Sequence, residues 1–216
     1  FIGQQGPVDF GPEANTTYED QVARWYDYRF KNIDNGIGTE PPVKLFIMGE
    51  NKWRYEESWP PSNAKPIEFF LHSKGSANSV FGNGSLLRSE PSKEPPDEYD
   101  YDPRDPVMSL MDLSAQAAVR EQSPLDLRND ILVYVTPPLE HPVTVIGPVV
   151  LKLWASSSAV DTDFTAKLID VHPDGSAINL SYGIMRTMYR YDYKNPQLMN
   201  PNTPYEFTIK LGATGI

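Results

Sequence analysis

The segment from Asp161 to Leu180, DTDFTAKLIDVHPDGSAINL, constrains the fold more than any other part of the chain. Side chains at 164, 166, 168 and 170 alternate in character with those at 165, 167, 169 and 171, which is the two-residue period of a β-strand. Asp174-Gly175 then supplies a pair of residues that accept positive φ, as a tight hairpin turn requires. The segment therefore predicts two antiparallel β-strands.

Short strand patterns separated by turn residues continue through most of the chain. Turns are indicated at Gly82-Asn83-Gly84-Ser85 and at Gly147-Pro148, and residues 89–106 hold five prolines, which predicts an extended connection. Strands are predicted at 67–72, 131–136, 143–146, 149–157, 164–171, 176–180, 184–191 and 205–211. Many short strands with turns between them are typical of a β-sandwich or jelly roll.

The N-terminal residues follow a different pattern. Thr16 and Glu19 have the spacing of a capping box, and Val22, Trp25, Tyr26 and Arg29 or Phe30 share one helical face, which predicts a helix over 17–31. The apolar run 43–48, VKLFIM, predicts a strand buried on both faces, as in a parallel α/β sheet. We expect the other strands of that sheet to precede residue 1. The Trp- and Pro-rich residues 51–66 predict a loop at the junction between two architectures.

Composition excludes several classes of protein. The chain has 216 residues, of which 39% are hydrophobic and 12% aromatic, so a packed core is feasible. The 19 basic and 29 acidic residues give a net charge of −10, which argues against a nucleic-acid partner. No stretch approaches the roughly 18 apolar residues of a membrane span.

The lack of cysteine excludes disulfides and thiolate metal sites but does not indicate a compartment. The N-terminus has no initiator Met and no signal pattern, and the C-terminus stops with no turn or cap, so we expect both ends to be cuts within a longer polypeptide.

Histidine and aspartate residues supply few candidates for catalysis or metal binding. His72 lies within a predicted strand, while His141 and His172 each precede a proline, so all three are interpreted as surface or strand-end residues without a catalytic role. Asp161 and Asp163 form a D-x-D pair that could bind a hard cation through oxygen. The favoured interpretation is that one of them accepts backbone amides at the start of a strand.

An acidic cluster lies in the proline-rich connection at Asp97, Glu98, Asp100, Asp102 and Asp105. Paired carboxylates carry out glycoside hydrolysis when they are held about 5–10 Å apart. Nothing in the pattern holds these residues at a fixed distance. A solvated connector is therefore the favoured interpretation.

Three tryptophans could form a sugar-stacking face or pack at a domain interface. Trp53 and Trp59 lie where two domains should meet, which favours interface packing. Trp154 alternates with Leu151 and Leu153, so it faces away from them and is the better candidate for an exposed or interface aromatic side chain.

Several short motifs follow one another along the chain. They are DFGPEA at 9–14, RWYD at 24–27, PVKLFIMG at 42–49, Trp53-Arg54, Trp59-Pro60, YDPRDPV at 101–107, RNDILVY at 128–134 and SSAVDTD at 157–163. Their order is similar to that of the C-terminal region of the cocaine esterase and X-Pro dipeptidyl-peptidase group of serine hydrolases. The segment 161–180 also resembles the β domain of this group. Each motif is weak alone, but together they cover most of the chain.

The resemblance implies a mainly β fold. It predicts a jelly-roll (galactose-binding-like) sandwich preceded by the last helix and strand of an α/β-hydrolase domain. The implied division is a remnant of the hydrolase domain at 1–50, a junction loop at 51–65 and a jelly roll at 66–216 that is truncated at its C-terminus.

For function, the resemblance implies a parent enzyme that hydrolyses esters or amides with a Ser-His-Asp triad. The histidine is expected just before Phe1, and no G-x-S-x-G occurs here, so this segment should hold no catalytic residue and be inactive alone. It should brace the catalytic domain and border the acyl pocket through Leu110, Met111 and Leu113. The family usually has Gly-Gly where this chain has Met111-Asp112.

The expected partners are the missing catalytic portion of the same enzyme, a small acyl ester or amide substrate of the parent, and other copies of the chain in a homo-oligomer. No cofactor and no metal are implied, and neither nucleic acid nor membrane is expected as a partner. Two alternatives remain open. A jelly roll with spare aromatic side chains may serve as a carbohydrate-binding module that uses Trp154, or the chain is a purely structural β module with no hydrolase attached.

Overall fold

The computed structural model describes residues 3–110 and 120–216. These residues form two compact units. The first contains the described residues up to Ala64 together with Thr144–Asp170 and Asn179–Ile216, and the second contains the described residues of Lys65–Val143 and Val171–Ile178. The structure is mainly β, as predicted.

The described residues contain one α-helix and ten strands. They are β1 (Gln4–Gln5), β2 (Val8–Asp9), α1 (Tyr18–Lys31), β3 (Val43–Ile47), β4 (Lys52–Glu56), β5 (Phe70–His72), β6 (Ser85–Leu87), β7 (Ile146–Ala155), β8 (Asp163–Val171), β9 (Ala177–Arg186) and β10 (Tyr205–Gly215). Short 3-10 turns lie at Pro12–Ala14, Ile37–Thr39, Ser123–Leu125 and Thr187–Tyr189. No helix among these residues has both the length and the apolar character to cross a membrane.

The core of the first unit lies on β10. This strand pairs antiparallel with β7 along its whole length, and it buries Phe207, Ile209 and Leu211 at alternate positions. Phe164 of β8 packs against Phe207 with 5.1 Å between ring centroids. Alternation along these strands therefore predicts the buried face correctly, because burial of one face requires a two-residue period.

The predicted hairpin at 161–180 is confirmed, with β8 and β9 as hydrogen-bonded neighbours. The Gly175 N–H donates to the His172 carbonyl oxygen (2.9 Å), and the His172 N–H donates to the Ser176 carbonyl oxygen (2.8 Å). Gly175 has φ +87°, and Asp174 does not share the left-handed conformation. The connection is thus a three-residue loop with one glycine at the left-handed position.

Two predicted strand breaks are wrong. Gly147-Pro148 lies inside β7, where Pro148 pairs with Ala213, and a proline is tolerated there because β7 has β10 as its one neighbour among the described strands. The strands expected at 176–180 and 184–191 are largely one strand, β9, with a 3-10 turn at its end. Gly183 marks a close approach of backbone rather than a turn, since a Cβ atom there would lie 2.3 Å from the Lys210 carbonyl oxygen.

Helix α1 confirms the predicted range of 17–31, but its cap differs. Thr17 is the N-cap residue and its hydroxyl contacts the Asp20 carboxylate, so the expected pairing of Thr16 with Glu19 does not form the cap. Asn32 ends the helix in the left-handed conformation, with φ 54°.

Strand β3 differs from the expected two-sided buried strand. It pairs antiparallel with β4, in the region predicted to be a loop, and Lys44 is exposed. The Lys44 ammonium lies over the Trp53 ring (4.7 Å), so this face carries a cation on an aromatic ring instead of a second apolar layer. Ile47 is fully buried, and the Met48 N–H donates to the Gly215 carbonyl oxygen (3.0 Å), which joins β3 to the end of β10.

In the second unit, β5 pairs antiparallel with β6. The strand predicted at 131–136 forms only isolated bridges, from Leu132 to Asn78 and from Val135 to Ser85. Residues 89–106 contain no strand or helix, as the prolines predict.

Candidate functional site

One flank of α1 is fastened to the loop that follows it. The Arg24 guanidinium donates to both Glu40 carboxylate oxygens (2.6 and 2.9 Å) and to the Asn35 carbonyl oxygen (2.9 Å). The Asn35 side-chain amide donates in return to the Arg24 carbonyl oxygen (2.7 Å). The side-chain hydrogen bond with Arg24 lowers the pKa of the Glu40 carboxyl. The loop thus fixes the rotation of the helix about its axis.

The face of α1 directed away from this loop is aromatic and open to solvent. Tyr26 stacks on Phe30 (5.3 Å between centroids), and Trp25 meets the edge of Tyr26 (5.4 Å). Phe30 is 70% exposed, Tyr18 is 76% exposed, and none of the 14 residues of the helix is buried. We call Tyr18, Trp25, Tyr26 and Phe30 the α1 aromatic face. A contiguous apolar surface of this kind marks an interaction site.

Trp53 packs within the first unit. Its indole N–H donates to the Glu13 carbonyl oxygen (2.8 Å), and its ring meets the edge of Phe46 (5.3 Å). Together with the Lys44 ammonium above the ring, these contacts hold the N-terminal loop against the β3–β4 hairpin. Trp53 therefore makes these contacts with residues of its own unit.

Trp59 and Trp154 differ from Trp53 in being exposed. Trp59 is 45% exposed and precedes Pro60 through a cis peptide bond. Trp154 is 68% exposed on β7 and pairs with Glu206 of β10. Its side chain faces away from Leu151 and Leu153, as the alternation predicts.

The expected pocket rim falls at the edge of a described range. Leu110 is half-buried, while Met111 and Leu113 lie outside the described residues. The rim role of these three residues therefore stays a prediction.

The proline-rich connection is anchored at Asp97, and the interpretation as a solvated connector is wrong there. The Asp97 carboxylate accepts hydrogen bonds from the Ser73 hydroxyl (2.6 Å), the Ala77 N–H (2.8 Å) and the Tyr134 hydroxyl (2.8 Å). Burial raises the pKa of Asp97, but the hydrogen bonds from Ser73, Ala77 and Tyr134 outweigh it and hold the pKa below its ordinary value. Three donors therefore fix one carboxylate in its charged form.

His72 is also held in place, and it is the last residue of strand β5, in agreement with its interpretation as a strand-end residue. Its Nδ1 lies 2.7 Å from Glu94 Oε1, and its Nε2 lies 2.8 Å from the Ser89 carbonyl oxygen. The other Glu94 carboxylate oxygen accepts the Ser73 N–H (2.9 Å). The Ser89 carbonyl and then Glu94 raise the pKa of His72, and the Ser73 N–H and then His72 lower the pKa of Glu94. Because both ring nitrogens face acceptors, neither is free to act as a general base.

The D-x-D pair is occupied by protein groups. Arg186 donates to Asp161 (2.7 Å) and to Asp163 (2.9 Å), and Asp161 also accepts the Thr187 hydroxyl (2.8 Å) and the Met188 N–H (3.0 Å). Burial raises the pKa of Asp161, but these hydrogen bonds hold it below its ordinary value. The predicted backbone acceptor role is confirmed. Among residues 3–110 and 120–216, no group of three or more candidate ligands could hold a metal ion.

The sequence places Trp25, Tyr26 and Phe30 on one helical face and turns Trp154 away from its apolar neighbours, because both follow from local periodicity, but it does not indicate that the helical face is exposed. It misses the His72–Glu94 pair and the role of Asp97. Their partners lie 20 to 37 residues away, and no local pattern signals such a pairing. The only sequence signal is the concentration of carboxylates in 94–105.

Comparison with known proteins relates this arrangement to one family of domains. Residues 35–216 match the family described as X-Pro dipeptidyl-peptidase C-terminal non-catalytic domain. The cocaine esterase of Rhodococcus sp. (strain MB1 Bresler) is 41% identical over 223 residues, an alignment that covers 99% of this chain and 38% of the esterase. The chain therefore spans less than half of the length of this relative.

The solved structures that share the fold include two hydrolytic enzymes. An aminopeptidase from a marine sediment archaeon, Thaumarchaeota archaeon, superposes with a TM-score of 0.77 at 27% identity, covering 99% of this chain and 36% of the aminopeptidase. An α-amino acid ester hydrolase gives a TM-score of 0.77 at 25% identity, covering 99% of this chain and 37% of the hydrolase. With its mainly β fold and the match over 35–216, the chain belongs to the family of X-Pro dipeptidyl-peptidase C-terminal non-catalytic domains.

Proposed function

We propose that this chain is the non-catalytic C-terminal segment of a serine acyl hydrolase and that it braces the catalytic region through the α1 aromatic face. The observation that carries this proposal is a 14-residue helix without a single buried residue, whose aromatic side chains stack on one another in solvent. An amphipathic surface helix normally buries its apolar face. Helix α1, which Arg24 joins to the following loop, therefore presents its aromatic face to a partner.

The class of reaction comes from the relatives. The matched proteins are named as an esterase, an ester hydrolase and an aminopeptidase, which all hydrolyse acyl–oxygen or acyl–nitrogen bonds. We propose that the parent enzyme acts on a small ester or amide through a Ser-His-Asp triad outside this segment, with an acyl-enzyme intermediate. The engaged ring nitrogens of His72 support a non-catalytic role for the second unit.

The finer assignments are part of the same proposal. Residues 1–50 would complete an α/β-hydrolase domain, 51–65 would form the junction, and 66–216 would form the jelly roll. Leu110, Met111 and Leu113 would border the acyl pocket, and Trp59 and Trp154 would pack against neighbouring domains. The exposure of Trp59 and Trp154 supports this assignment.

A carbohydrate-binding module is not favoured. Its main support was a spare aromatic residue, Trp154, and a single exposed ring beside Glu206 does not form a stacking platform. The family match, by contrast, extends over residues 35–216.

The bracing role is tested by Phe30→Asp in the full polypeptide that contains this segment. A carboxylate on a buried face loses apolar contacts and must be desolvated, so we expect the free energy of unfolding to fall by at least about 2 kcal/mol. The matched control is Leu198→Asp, at an exposed apolar residue of the same unit. Equal effects of the two substitutions would contradict the proposal.

A second experiment addresses catalysis. The purified segment alone is expected to give no turnover of a generic acyl ester such as p-nitrophenyl acetate, because the proposed triad lies outside it. Turnover that exceeds the background rate and is lost in His72→Gln would refute the non-catalytic role.

A further inference from the structure

The chain contains two Asn-Gly pairs, Asn35-Gly36 and Asn83-Gly84. Such a pair can react with itself, because the backbone nitrogen of a glycine, which carries no Cβ, can reach the amide carbon of the preceding side chain. The products are a cyclic succinimide and ammonia. The groups that surround each pair decide whether the folded chain permits this reaction.

The loop after α1 surrounds the backbone of Asn35-Gly36 with groups that assist the attack. The Asp34 carboxylate accepts the Gly36 N–H (3.2 Å), so an acceptor for the proton of the attacking nitrogen is already in place. The Arg24 guanidinium donates to the Asn35 backbone carbonyl oxygen (2.9 Å). A cation at that oxygen stabilises the negative charge that develops on the peptide group between Asn35 and Gly36 as the proton is removed.

The side chain of Asn35 is oriented by hydrogen bonds at both ends of its amide. The Ile37 N–H donates to Asn35 Oδ1 (3.3 Å), which is the oxygen that becomes negatively charged when nitrogen adds to the side-chain carbon. Asn35 Nδ2, the group that leaves, donates to the Arg24 carbonyl oxygen (2.7 Å). Gly36 has room to move, since the atom nearest to a Cβ placed on it, apart from its chain neighbours, is Arg24 Nη2 at 3.8 Å.

The second pair, Asn83-Gly84, differs at its glycine. Asn83 Oδ1 accepts the Ser73 hydroxyl (2.9 Å) and the Lys74 N–H (3.0 Å), so its amide is polarised as well. Gly84, however, is tightly packed, because a Cβ placed on it would lie 2.1 Å from the Val133 carbonyl oxygen. The backbone that has to swing toward the Asn83 side chain is therefore held by a neighbouring segment.

From this arrangement we propose that Asn35 is a site of self-modification, at which the chain converts the asparagine to isoaspartate and aspartate without another enzyme. The Gly36 nitrogen bonds to Asn35 Cγ, the bond from Cγ to Nδ2 breaks, and the amide leaves as ammonia with the proton that Asp34 has taken from Gly36. Water then opens the succinimide at either of its carbonyl carbons, which gives isoaspartate or aspartate. The proposal does not depend on what covers the α1 aromatic face.

The conversion changes the contact that fastens α1 to the loop. The product carboxylate has no N–H to donate to the Arg24 carbonyl oxygen, so the hydrogen bond from the Asn35 side chain is lost. Its negative charge also competes with Glu40 for the Arg24 guanidinium, which donates to Glu40 Oε1 at 2.6 Å in the unmodified chain. The loop 32–40 is therefore held less firmly on the helix after conversion.

The test follows both Asn-Gly pairs in the full polypeptide that contains this segment. The protein is incubated in mildly alkaline buffer, digested at acidic pH and analysed by mass spectrometry, with electron-transfer fragmentation to distinguish isoaspartate from aspartate. We expect Asn35 to be converted several-fold faster than Asn83 in the folded protein, and both at similar rates in urea. Equal rates in the folded protein, or faster conversion of Asn83, would overturn the proposal. The same ratio of rates in urea would overturn it too, because the fold would then play no part.

Asp34→Ala tests the acceptor of the proton. It is expected to slow the conversion of Asn35 several-fold and to leave that of Asn83 unchanged, because it removes only the carboxylate that accepts the Gly36 N–H. Asn83 in the same protein sample is thus the internal control. An unchanged rate at Asn35 would refute the role given to Asp34.

Asn35→Asp reproduces one product and measures its effect on the loop. We expect amide hydrogen exchange in residues 32–40 of the full polypeptide to become several-fold faster than in the wild type, because the contact with the Arg24 carbonyl oxygen is lost. Asn63→Asp, at an exposed residue of the same unit, is the matched control and should leave exchange in 32–40 unchanged. Equal exchange in the two variants would show that the conversion does not loosen the loop.

Discussion

His72 Nδ1 lies 2.7 Å from Glu94 Oε1, and this contact ties strand β5 to the proline-rich connection that follows β6. The His72 side chain is only 13% exposed, and its other ring nitrogen faces the Ser89 carbonyl oxygen. Two acceptors around one imidazole favour its protonated form. The connection is therefore held by a charge whose presence depends on pH.

The pair predicts a window of greatest stability. The pKa of His72 is raised above its ordinary value of 6.5, so its contribution is fully present below pH 6.5 and is lost as pH rises through the folded pKa. The pKa of Glu94 is lowered from 4.5, so its contribution is present above pH 4.5 and is lost as pH falls through the folded pKa. The pair should thus stabilise the second unit most between about pH 4.5 and 6.5.

Urea unfolding at a series of pH values tests this window. The stability difference between the wild type and His72→Gln should be largest near pH 5.5 and should shrink as the solution becomes alkaline. Glu94→Gln should remove most of the same pH dependence, because either substitution breaks the charged pair. A difference between wild type and His72→Gln that stays constant from pH 5.5 to 9 would contradict the assignment.

Asp97 is predicted to be the most sensitive residue of the connection. Its replacement by Ala leaves the Ser73 hydroxyl, the Ala77 N–H and the Tyr134 hydroxyl without their acceptor, so we expect a loss of about 3 kcal/mol in the free energy of unfolding. Tyr134→Phe removes only one of the three hydrogen bonds and should cost about 1 kcal/mol. Asp100→Ala, at an exposed residue of the same connection, is the control. A cost for Asp97→Ala no greater than that of this control would show that the three hydrogen bonds contribute nothing.

Local patterns in the sequence predict local structure well in this chain. The helix over 17–31 and the hairpin at 161–180 depend on residues within one or two turns of each other, and both are found where expected. The buried face of β10 is found for the same reason, since a strand beside a core alternates with a period of two. In each of these features, residues close together in the sequence determine the secondary structure or the buried face.

Strand pairing is where the sequence-based predictions fail, both in the neighbouring β3–β4 hairpin and between the distant strands β7 and β10. Residues 52–56 look like a loop because of their surroundings of Trp and Pro, yet they pair with 43–47 as β4. Pro148 is predicted to interrupt a strand, but the antiparallel pairing of β7 with β10 continues across it. In each case the partner strand decides the conformation, and no single-sequence pattern specifies the partner.

The charged networks could not be predicted for a related reason. Asp97 lies among carboxylates of similar sequence context, such as Asp100 and Asp102. Its partners, Ser73 and Tyr134, are separated from it by 24 and 37 residues. Composition alone therefore does not distinguish the anchoring carboxylate from the solvated ones.

Gly183 is predicted to tolerate no side chain. A methyl group there would lie 2.3 Å from the Lys210 carbonyl oxygen, so the backbone of β10 would have to move, and we expect Gly183→Ala to cost about 3 kcal/mol of unfolding free energy. Gly175→Ala is the matched control, because that glycine has positive φ but open space around its Cα, and it should cost about 1 kcal/mol. Chemical denaturation of both variants measures the difference. A smaller loss for Gly183→Ala than for Gly175→Ala would contradict the close approach of β9 and β10.

The tryptophans predicted at interfaces should separate into two groups. Trp53→Ala removes the hydrogen bond to Glu13 and the ring contacts with Phe46 and Lys44, so it should destabilise the isolated segment by about 2 kcal/mol. Trp154 is 68% exposed, and Trp154→Ala should change the stability of the isolated segment by no more than about 0.5 kcal/mol. In the full polypeptide, Trp154→Ala should become destabilising if its ring packs against a neighbouring domain, as proposed. Denaturation curves are needed for both variants, in the isolated segment and in the full polypeptide. If Trp154→Ala changes the free energy of unfolding equally little in both, Trp154 does not pack at an interface, and the role of Trp53 is unaffected.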